Sequence, residues 1–310
     1  MAERRTFVVV EFANPFTRAG RWLRGNLHVH STASDGRLSP VELACHYRNA
    51  GYDFLALSDH RVVTVPPDVP GIVLLRAAEV NTSGEATPGK SCHLVLIEPT
   101  SLPEGPIGEP AELLRQSVKC APVTLLAHPY WSNLSGDDVL ALGGCSGVEV
   151  YNTGCEVEIA RGFSEYPWDY ALSAGGRLLG YAVDDAHRCT DDSCGGWVMV
   201  KTEEATAAAV VSSLRAGLFY SSMGPEIYQV LVDEAGVEVR CSPVVRIEFV
   251  ANTNRGAQFR ARAEHPVGTA RYGWRGGERY LRIQVTDAEG RRAWTNPMYV
   301  GGPGEVGQSG

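Results

Sequence analysis

Short apolar runs that end on a histidine or an aspartate constrain this chain more than any other feature of it. Phe54-Leu55-Ala56-Leu57 runs into Ser58-Asp59-His60, and residues 123–127 run into His128. Val148-Glu149-Val150-Tyr151 ends at Asn152, and residues 178–183 end at Asp184-Asp185-Ala186-His187. Each run is too short for a helix and reads as a buried strand. Helical patterns separate the runs. Ser39-Pro40-Val41-Glu42 is a helix start, with Ser39 as N-cap, Pro40 in the first turn and Glu42 completing a capping box. Leu43, Ala44, Tyr47 and Ala50 keep helical spacing up to Gly51, and a second helix is expected from Pro110 to about Val118. Strands alternating with helices predict a parallel α/β architecture, a barrel in particular, in which the C-terminal ends of the strands face the active site.

After Gly224 the texture changes. Val230-Leu231-Val232, the turn Asp233-Glu234-Ala235-Gly236 and Val237-Glu238-Val239 read as a hairpin. Ile247 and Phe249 alternate with Arg246 and Glu248. Leu281, Ile283 and Val285 alternate before Asp287-Ala288-Glu289-Gly290 turns the chain toward Trp294 and Met298. Period-two runs without a helical stretch predict a small antiparallel, sandwich-like β domain. The expected organisation is an N-terminal strand and linker over 1–22, with residues 7–10 pairing onto the β domain; an α/β domain over 23–223; the β domain over 224–302; and a disordered tail over 303–310. A chain of 310 residues suits one large domain plus a small one and buries a core without a disulfide scaffold.

Composition excludes several classes. Hydrophobic residues at 44% and charged residues at 21% rule out a disordered chain, a collagen-like repeat and a coiled coil. The net charge of −8 disfavours general binding to nucleic acid or acidic membranes. No apolar run approaches the roughly 20 residues of a membrane helix, and no signal-peptide core follows the first residues, so a cytoplasmic protein is expected. Eight cysteines without a C-x-x-C pair read as reduced thiols. Cys189 and Cys194 form at most a minor candidate for a zinc clip.

The chemistry lies in the histidines. His28-Val29-His30 on a strand sends both imidazoles to one face, where both can hold one ion. Asp35 follows in Ser34-Asp35-Gly36, His60 ends a strand, Glu79 sits just past Val73-Leu74-Leu75, and His93 precedes Leu94-Val95-Leu96-Ile97. His128, Asp185 and His187 close later runs. Taken singly, each has an ordinary reading as a turn, loop or core residue. Taken together, six of the eight histidines fall at or beside strand-like runs, and only His46 and His265 do not. A shared rim of a parallel α/β fold collects them, and such groups make first-row metal sites.

This series resembles the polymerase-and-histidinol-phosphatase (PHP) superfamily of metal-dependent hydrolases. The matching residues are Gly25-Asn26-Leu27-His28-Val29-His30-Ser31 with Ser34-Asp35-Gly36, Leu57-Ser58-Asp59-His60, Glu79, His93, Ala127-His128-Pro129 and Asp184-Asp185-Ala186-His187. The resemblance spans about residues 23 to 222. It implies a distorted seven-stranded (β/α) barrel with two or three divalent ions, zinc, manganese or iron, at the strand C-termini. By position it implies one metal site from His28, His30, Glu79 and Asp185, a second from Asp35, His60 and His187, and a third from Glu79, His93 and His128. Asp59 and Asp184 are expected behind them, orienting imidazoles. The chain is also similar to the carbaryl-hydrolase-type (CehA/McbA) branch through Ala127-His128-Pro129-Tyr130-Trp131, Glu149-Val150-Tyr151-Asn152, Trp168-Asp169 and Ala293-Trp294-Thr295-Asn296-Pro297.

Arg61 and Arg188 flank expected ligands and are candidates to clamp an anionic substrate, with a surface salt bridge as the alternative. Tyr130, Trp131 and Asn152 are candidates to line the pocket. The leading expectation is hydrolysis of a small-molecule phosphate ester. Paired metals would acidify a bridging water for in-line attack, Arg61 and Arg188 would offset phosphoryl charge, and Asp59 is a weak candidate to protonate the leaving oxygen. Two alternatives stand: a carboxylic-ester, carbamate or lactone hydrolase using the same metals, and a metal-binding module without turnover. The expected partner is a small, anionic substrate; the sequence leaves the oligomeric state open.

Overall fold

The computed structural model describes residues 9–84, 89–262 and 265–301. Strand β1 (Val9–Glu11) leads to β2 (Arg21–Asn26), helix α1 (Pro40–Asn49), β3 (Phe54–Leu57), β4 (Val73–Asn81) and β5 (His93–Ile97). Then come α2 (Pro110–Cys120), β6 (Val123–Leu126), α3 (Gly136–Ala141), β7 (Gly147–Asn152), α4 (Thr153–Ile159), α5 (Glu165–Ser173) and β8 (Leu179–Val183). Strand β9 (Trp197–Thr202), α6 (Ala207–Arg215) and β10 (Phe219–Ser222) complete the mixed part. No described helix is long and apolar enough to cross a membrane.

Local chemistry sets these elements. Ser39 Oγ accepts from the Glu42 N–H while the Glu42 carboxylate accepts from the Ser39 N–H, so α1 starts on a complete capping box. Strands β3, β6 and β7 are buried at every position, as strands covered on both faces must be. Alternate residues divide between two packing environments. Phe54 and Ala56 join a cluster with Val95, Val123, Leu125, Tyr181 and Val200. Leu55 and Leu57 pack instead on Leu43 and Tyr47 of α1.

The strands follow the order β10-β9-β2-β3-β4-β5-β6-β7-β8. Pairs β2–β3, β3–β4, β6–β7 and β7–β8 are parallel. The expectation of parallel pairing throughout is corrected at β5, antiparallel to both β4 and β6, and at β9, antiparallel to β2 and β10. Among the described residues no helix separates β4 from β5, and a parallel return needs a crossover, usually a helix. The sheet is not a closed barrel either. Strands β2 and β8, the first and last of the run from β2 to β8, share no ladder. They meet just beyond their ends, where Val29 bridges Ala186, the His30 N–H donates to the Ala186 carbonyl at 2.9 Å and the Asp185 N–H to the His28 carbonyl at 2.7 Å.

Among the described residues, 227–301 add strands only: β11 (Ile227–Asp233), β12 (Gly236–Val244), β13 (Arg246–Ala251), β14 (Gly256–Arg260), β15 (Val267–Gly273), β16 (Tyr280–Thr286), β17 (Arg292–Thr295) and β18 (Met298–Gly301). Strands β11, β12 and β15 form a three-stranded sheet. The others continue the large sheet, because β17 pairs with β10, and β1 joins through β18. A core including Val230, Val239, Phe249, Tyr272 and Ile283 lies among them. Residues 7 and 8 of the expected N-terminal strand and the tail from 303 lie outside the described residues.

Strand β16 is buried on both faces although only alternate residues are apolar. Its polar side meets α5. The Arg282 guanidinium, 2% exposed, pairs with Asp169 at 2.6 Å and lies 4.9 Å from the Trp168 ring centroid. Removing one partner of such a pair leaves a buried charge and costs about 3–5 kcal/mol. Asp169→Ala is therefore expected to lose about 3 kcal/mol or more, read as a lower midpoint in chemical denaturation.

Candidate metal centre

The expected ligands arrive at one place from six directions. His28 and His30 lie on the extension of β2, His60 follows β3, and Glu79 lies near the end of β4. His128 follows β6, and Asp185 and His187 follow β8. His93 is the first residue of β5 rather than one past its end. Because β5 is antiparallel, with His93 opposite Asn81, its beginning lies at the rim where its neighbours finish.

Glu79, 1% exposed, is the hub. One of its oxygens lies 3.3 Å from His28 Nε2, 3.3 Å from His30 Nε2 and 3.1 Å from His60 Nδ1. The other lies 2.6 Å from His93 Nδ1 and 3.4 Å from His128 Nε2. Asp185 reaches His28 at 3.2 Å and His30 at 3.1 Å. Asp35 lies 3.5 Å from both His60 Nε2 and His187 Nε2. The residues fall into three groups: His28, His30, Glu79 and Asp185; His30, Asp35, His60 and His187; Glu79, His93 and His128. Within each, one donor atom per residue lies within 4.8 Å of every other.

This donor set fits divalent ions. The His28 and His30 Nε2 atoms stand 3.1 Å apart, both facing carboxylates. The buried Nδ1 of His30 has no hydrogen-bond partner and lies 3.5 Å from an Asp35 oxygen. Among the described residues no lysine or arginine pairs with Glu79, Asp185 or Glu149. Mixed imidazole and carboxylate donors suit zinc, manganese or iron.

Proton affinities express the same demand for positive charge. Burial alone would lower His28, but Asp185, Glu149 and Glu79 outweigh it and hold it well above its ordinary value. His30 is raised to about 9, against its burial, by Asp185 and Glu79, and His128 is raised in the same way. His60 is lowered, by burial and by nearby His30, despite Glu79. Burial would raise Glu79 and Asp185, yet the surrounding imidazoles hold both below the carboxylate range.

A second layer sets which ring nitrogen faces inward. Glu149 holds His28 Nδ1 at 2.7 Å, Ser132 Oγ lies 3.1 Å from His128 Nδ1, and His187 Nδ1 donates to the Asp185 carbonyl at 3.0 Å. Each contact leaves Nε2 for the centre. Sequence reasoning gave Glu149 no such role. Its signal was a lone charge inside the apolar run Val148-Glu149-Val150. Three residues here adopt left-handed backbone: Arg61 (φ 51°), His128 (φ 30°) and Asp185 (φ 55°). Such strain persists only where the surroundings over-determine it. Each spends its N–H on the framework: Arg61 on the Glu79 carbonyl, His128 on the Glu149 carboxylate and Asp185 on the His28 carbonyl.

Several expected roles change. Asp59 orients no imidazole. It is buried and accepts from the Ser31 N–H and the Ser31, Ser34 and Thr64 hydroxyls. Burial opposes ionisation, but these bonds hold it below the carboxylate range, so it has no proton to give a leaving group near neutral pH. Asp184 accepts instead from Asn26, Tyr47, Thr153 and the N–H groups of residues 194–196, tying β2, α1 and β8 together. Asn152 is fully buried: it caps α4 and donates to Glu149 at 2.9 Å and Asp185 at 3.2 Å, so it positions ligands rather than touching substrate. Arg61 donates to the Asn81 carbonyl, and Arg188 sits among Glu158, Asp191 and Asp192. Neither lines the cavity, and no anion clamp is formed. Cys189 and Cys194 join none of the ligand groups among the described residues, and no cysteine forms a disulfide.

The centre floors a cavity of about 280 Å³ whose remaining lining includes Trp131, Cys155 and Glu158. Trp131 packs edge-on against His128, with centroids 4.9 Å apart, and against His93. Tyr130 points elsewhere, into a neighbouring groove.

No family model matches the chain. Over 76 residues it is 38% identical to a 5'-3' exoribonuclease of Haemophilus influenzae, a match covering 23% of this chain and 27% of the relative. The chain thus spans about a quarter of that curated relative's length. It is similar to a two-domain protein from Bacteroides vulgatus containing a predicted PHP-like metal-dependent phosphoesterase, at 16% identity and TM-score 0.49, over 98% of this chain and all of that one. A putative metal-dependent phosphoesterase from Bifidobacterium adolescentis gives 14% and 0.41 over 55% and 88% of the two chains. An amidohydrolase from Chromobacterium violaceum gives 15% and 0.39 over 54% and 89%. Likeness at these values says nothing of chemistry, which rests on the geometry.

Two measurements probe the centre. Without metal, the raised histidines stabilise the fold fully below the unfolded imidazole value of about 6.5. That contribution is lost as pH rises through about 9, where His30 titrates. Chelated protein is expected to melt at a lower temperature above pH 9 than near pH 6.5, and metal-loaded protein to lack this decline, because ions take the place of the protons. Glu149→Gln is expected to weaken metal affinity about 10–100-fold by competitive chelation while secondary structure is retained.

Proposed function

We propose that this chain is a metal-dependent hydrolase that cleaves a small-molecule phosphate ester, with its centre in residues 23–223 and residues 224–302 as its support. The sharing of His30 and Glu79 between neighbouring ligand groups carries the reading, because shared ligands suit adjacent ions in one cavity. Ions held there supply Lewis acidity and bring the pKa of water toward neutrality. The protein's own residues prepare the site. Glu149, Ser132 and the Asp185 carbonyl aim three imidazoles, Asn152 holds an oxygen of Asp185, and Trp131 lines the cavity above His93 and His128. Cys155 lines the cavity, but burial raises its thiol and keeps it protonated, which favours water over the thiol as nucleophile.

Charge supports an anionic ester. Asp35, Glu79 and Asp185 bring −3, which two divalent ions would outweigh; with Glu149 and Glu158 counted as well, three ions would be needed to leave the site net positive without Arg61 or Arg188. The small cavity and the Glu158 carboxylate on its wall favour a small substrate over a polyanion. A second reading, cleavage of RNA phosphodiesters, is favoured by the likeness to an exoribonuclease over 76 residues.

Metal analysis with an ester panel tests both. At least two ions per chain are expected in replete protein. Hydrolysis of phosphate esters is expected to fall about a thousandfold in Asp185→Ala. Turnover of aryl acetates or carbamates with none of phosphate esters overturns the phosphoesterase reading. Release of mononucleotides from RNA in preference to small esters establishes the second.

A further inference from the structure

Among the described residues five aromatic side chains are exposed: Tyr130, Trp131, Tyr166, Tyr170 and Tyr228. Trp131 lines the metal cavity, and Tyr130, Tyr166 and Tyr170 line the groove beside it. The groove encloses about 480 Å³, walled by Tyr130, Leu134, Phe163, Tyr166, Pro167 and Tyr170. Isolated exposed apolar side chains are ordinary; three exposed aromatics lining one groove, with Trp131 of the metal cavity next in the chain to one of them, mark a binding surface.

Two chain segments join groove to cavity. In the first, Tyr130 faces the groove and the next residue, Trp131, faces the cavity. In the second, α4 gives Cys155 and Glu158 to the cavity. The chain leaving α4 gives Phe163 to the groove and sets the Arg161 guanidinium 5.5 Å from the Tyr130 ring centroid.

The walls are held in place. A Cβ on Gly136 would lie 2.3 Å from the Tyr170 ring, so only glycine lets that ring settle on α3, and the Tyr170 hydroxyl donates to Asp137 at 2.8 Å. The Tyr130 N–H donates to Ser164 Oγ at 3.0 Å. Helix α5, which carries Tyr166 and Tyr170, is gripped by β16 and β17 through Arg282 on Asp169 and Arg292 on Glu165, and by Arg279 donating to the Ser173 carbonyl. Rings fixed before binding lose little freedom on stacking.

We propose that this groove is a subsite for a planar aromatic ring on the substrate, whose ester group lies at the metal centre. The proposal rests on the esterase reading and adds the substrate class to it.

Benzyl phosphate and cyclohexylmethyl phosphate test it on metal-replete full-length protein, since they match in size and leaving-group basicity and differ in planarity. The expected result is a lower KM for the benzyl ester. Tyr166→Ala, which removes a ring 77% exposed and so spares the fold, is expected to narrow that preference about tenfold. Benzylphosphonate binding, followed by calorimetry, should weaken by a similar factor. Adenosine monophosphate is the second arm: a KM below that of benzyl phosphate identifies the ring as a nucleobase, and a KM above it as a simple aryl group. Hydrolysis of both esters with equal KM, unaltered by Tyr166→Ala, overturns the subsite and leaves the hydrolase standing. Tyr166-dependent benzylphosphonate binding without turnover of any ester upholds the subsite and overturns the hydrolase. Self-association abolished by Tyr166→Ala, with no change in ester preference, assigns the groove to a second copy of the chain and overturns the subsite.

Discussion

A buried carboxylate that no lysine or arginine among the described residues neutralises governs this structure. Glu79 lies among five imidazoles, with Asp185 beside three of them. Burying such a charge is costly unless it is paired and hydrogen-bonded. The imidazoles and Asp185 can gather around it only if the extensions of β2, β3, β6 and β8 all finish at the rim where β5 begins. The left-handed turns at Arg61, His128 and Asp185 follow from that requirement, since each swings the chain while its N–H locks onto a neighbouring strand. The site and the contact between the extensions of β2 and β8 are thus one construction: the hydrogen bond from the Asp185 N–H to the His28 carbonyl joins them and places two ligands at once.

The β layer beyond residue 224 takes part through charge as much as through apolar contact. Arg282 is almost wholly buried, yet it is matched by Asp169, the Gln284 side-chain oxygen Oε1 and the Trp168 face. A guanidinium suits this place because its planar fork satisfies a carboxylate with two parallel bonds. The pairing fixes the position of α5, and with it the aromatic wall beside the metal cavity.

Much of this was legible in the residues. The capping box at Ser39 is a local bond pattern, and α1 begins there. The apolar runs at 54–57 and 123–127 are strands because nothing but burial suits them, and the hairpin around residues 233–236 follows its turn. His28 and His30 share a face because a strand repeats every two residues. Less visible was His93. It opens its strand rather than following it, and that position has meaning only once β5 is known to run antiparallel.

Residue type and order along the chain determined that imidazoles and carboxylates would gather where strands end, because strand period and burial are local properties. Which carboxylate does which task was decided by tertiary structure alone. Asp59, Asp184 and Glu149 are equally acidic in the sequence. Asp59 is surrounded by hydroxyls, Asp184 by amides and a phenol, and Glu149 by an imidazole and an amide, and those neighbours come from distant parts of the chain. A carboxylate's role follows from the donors that reach it, and only the packed fold brings them within hydrogen-bond distance.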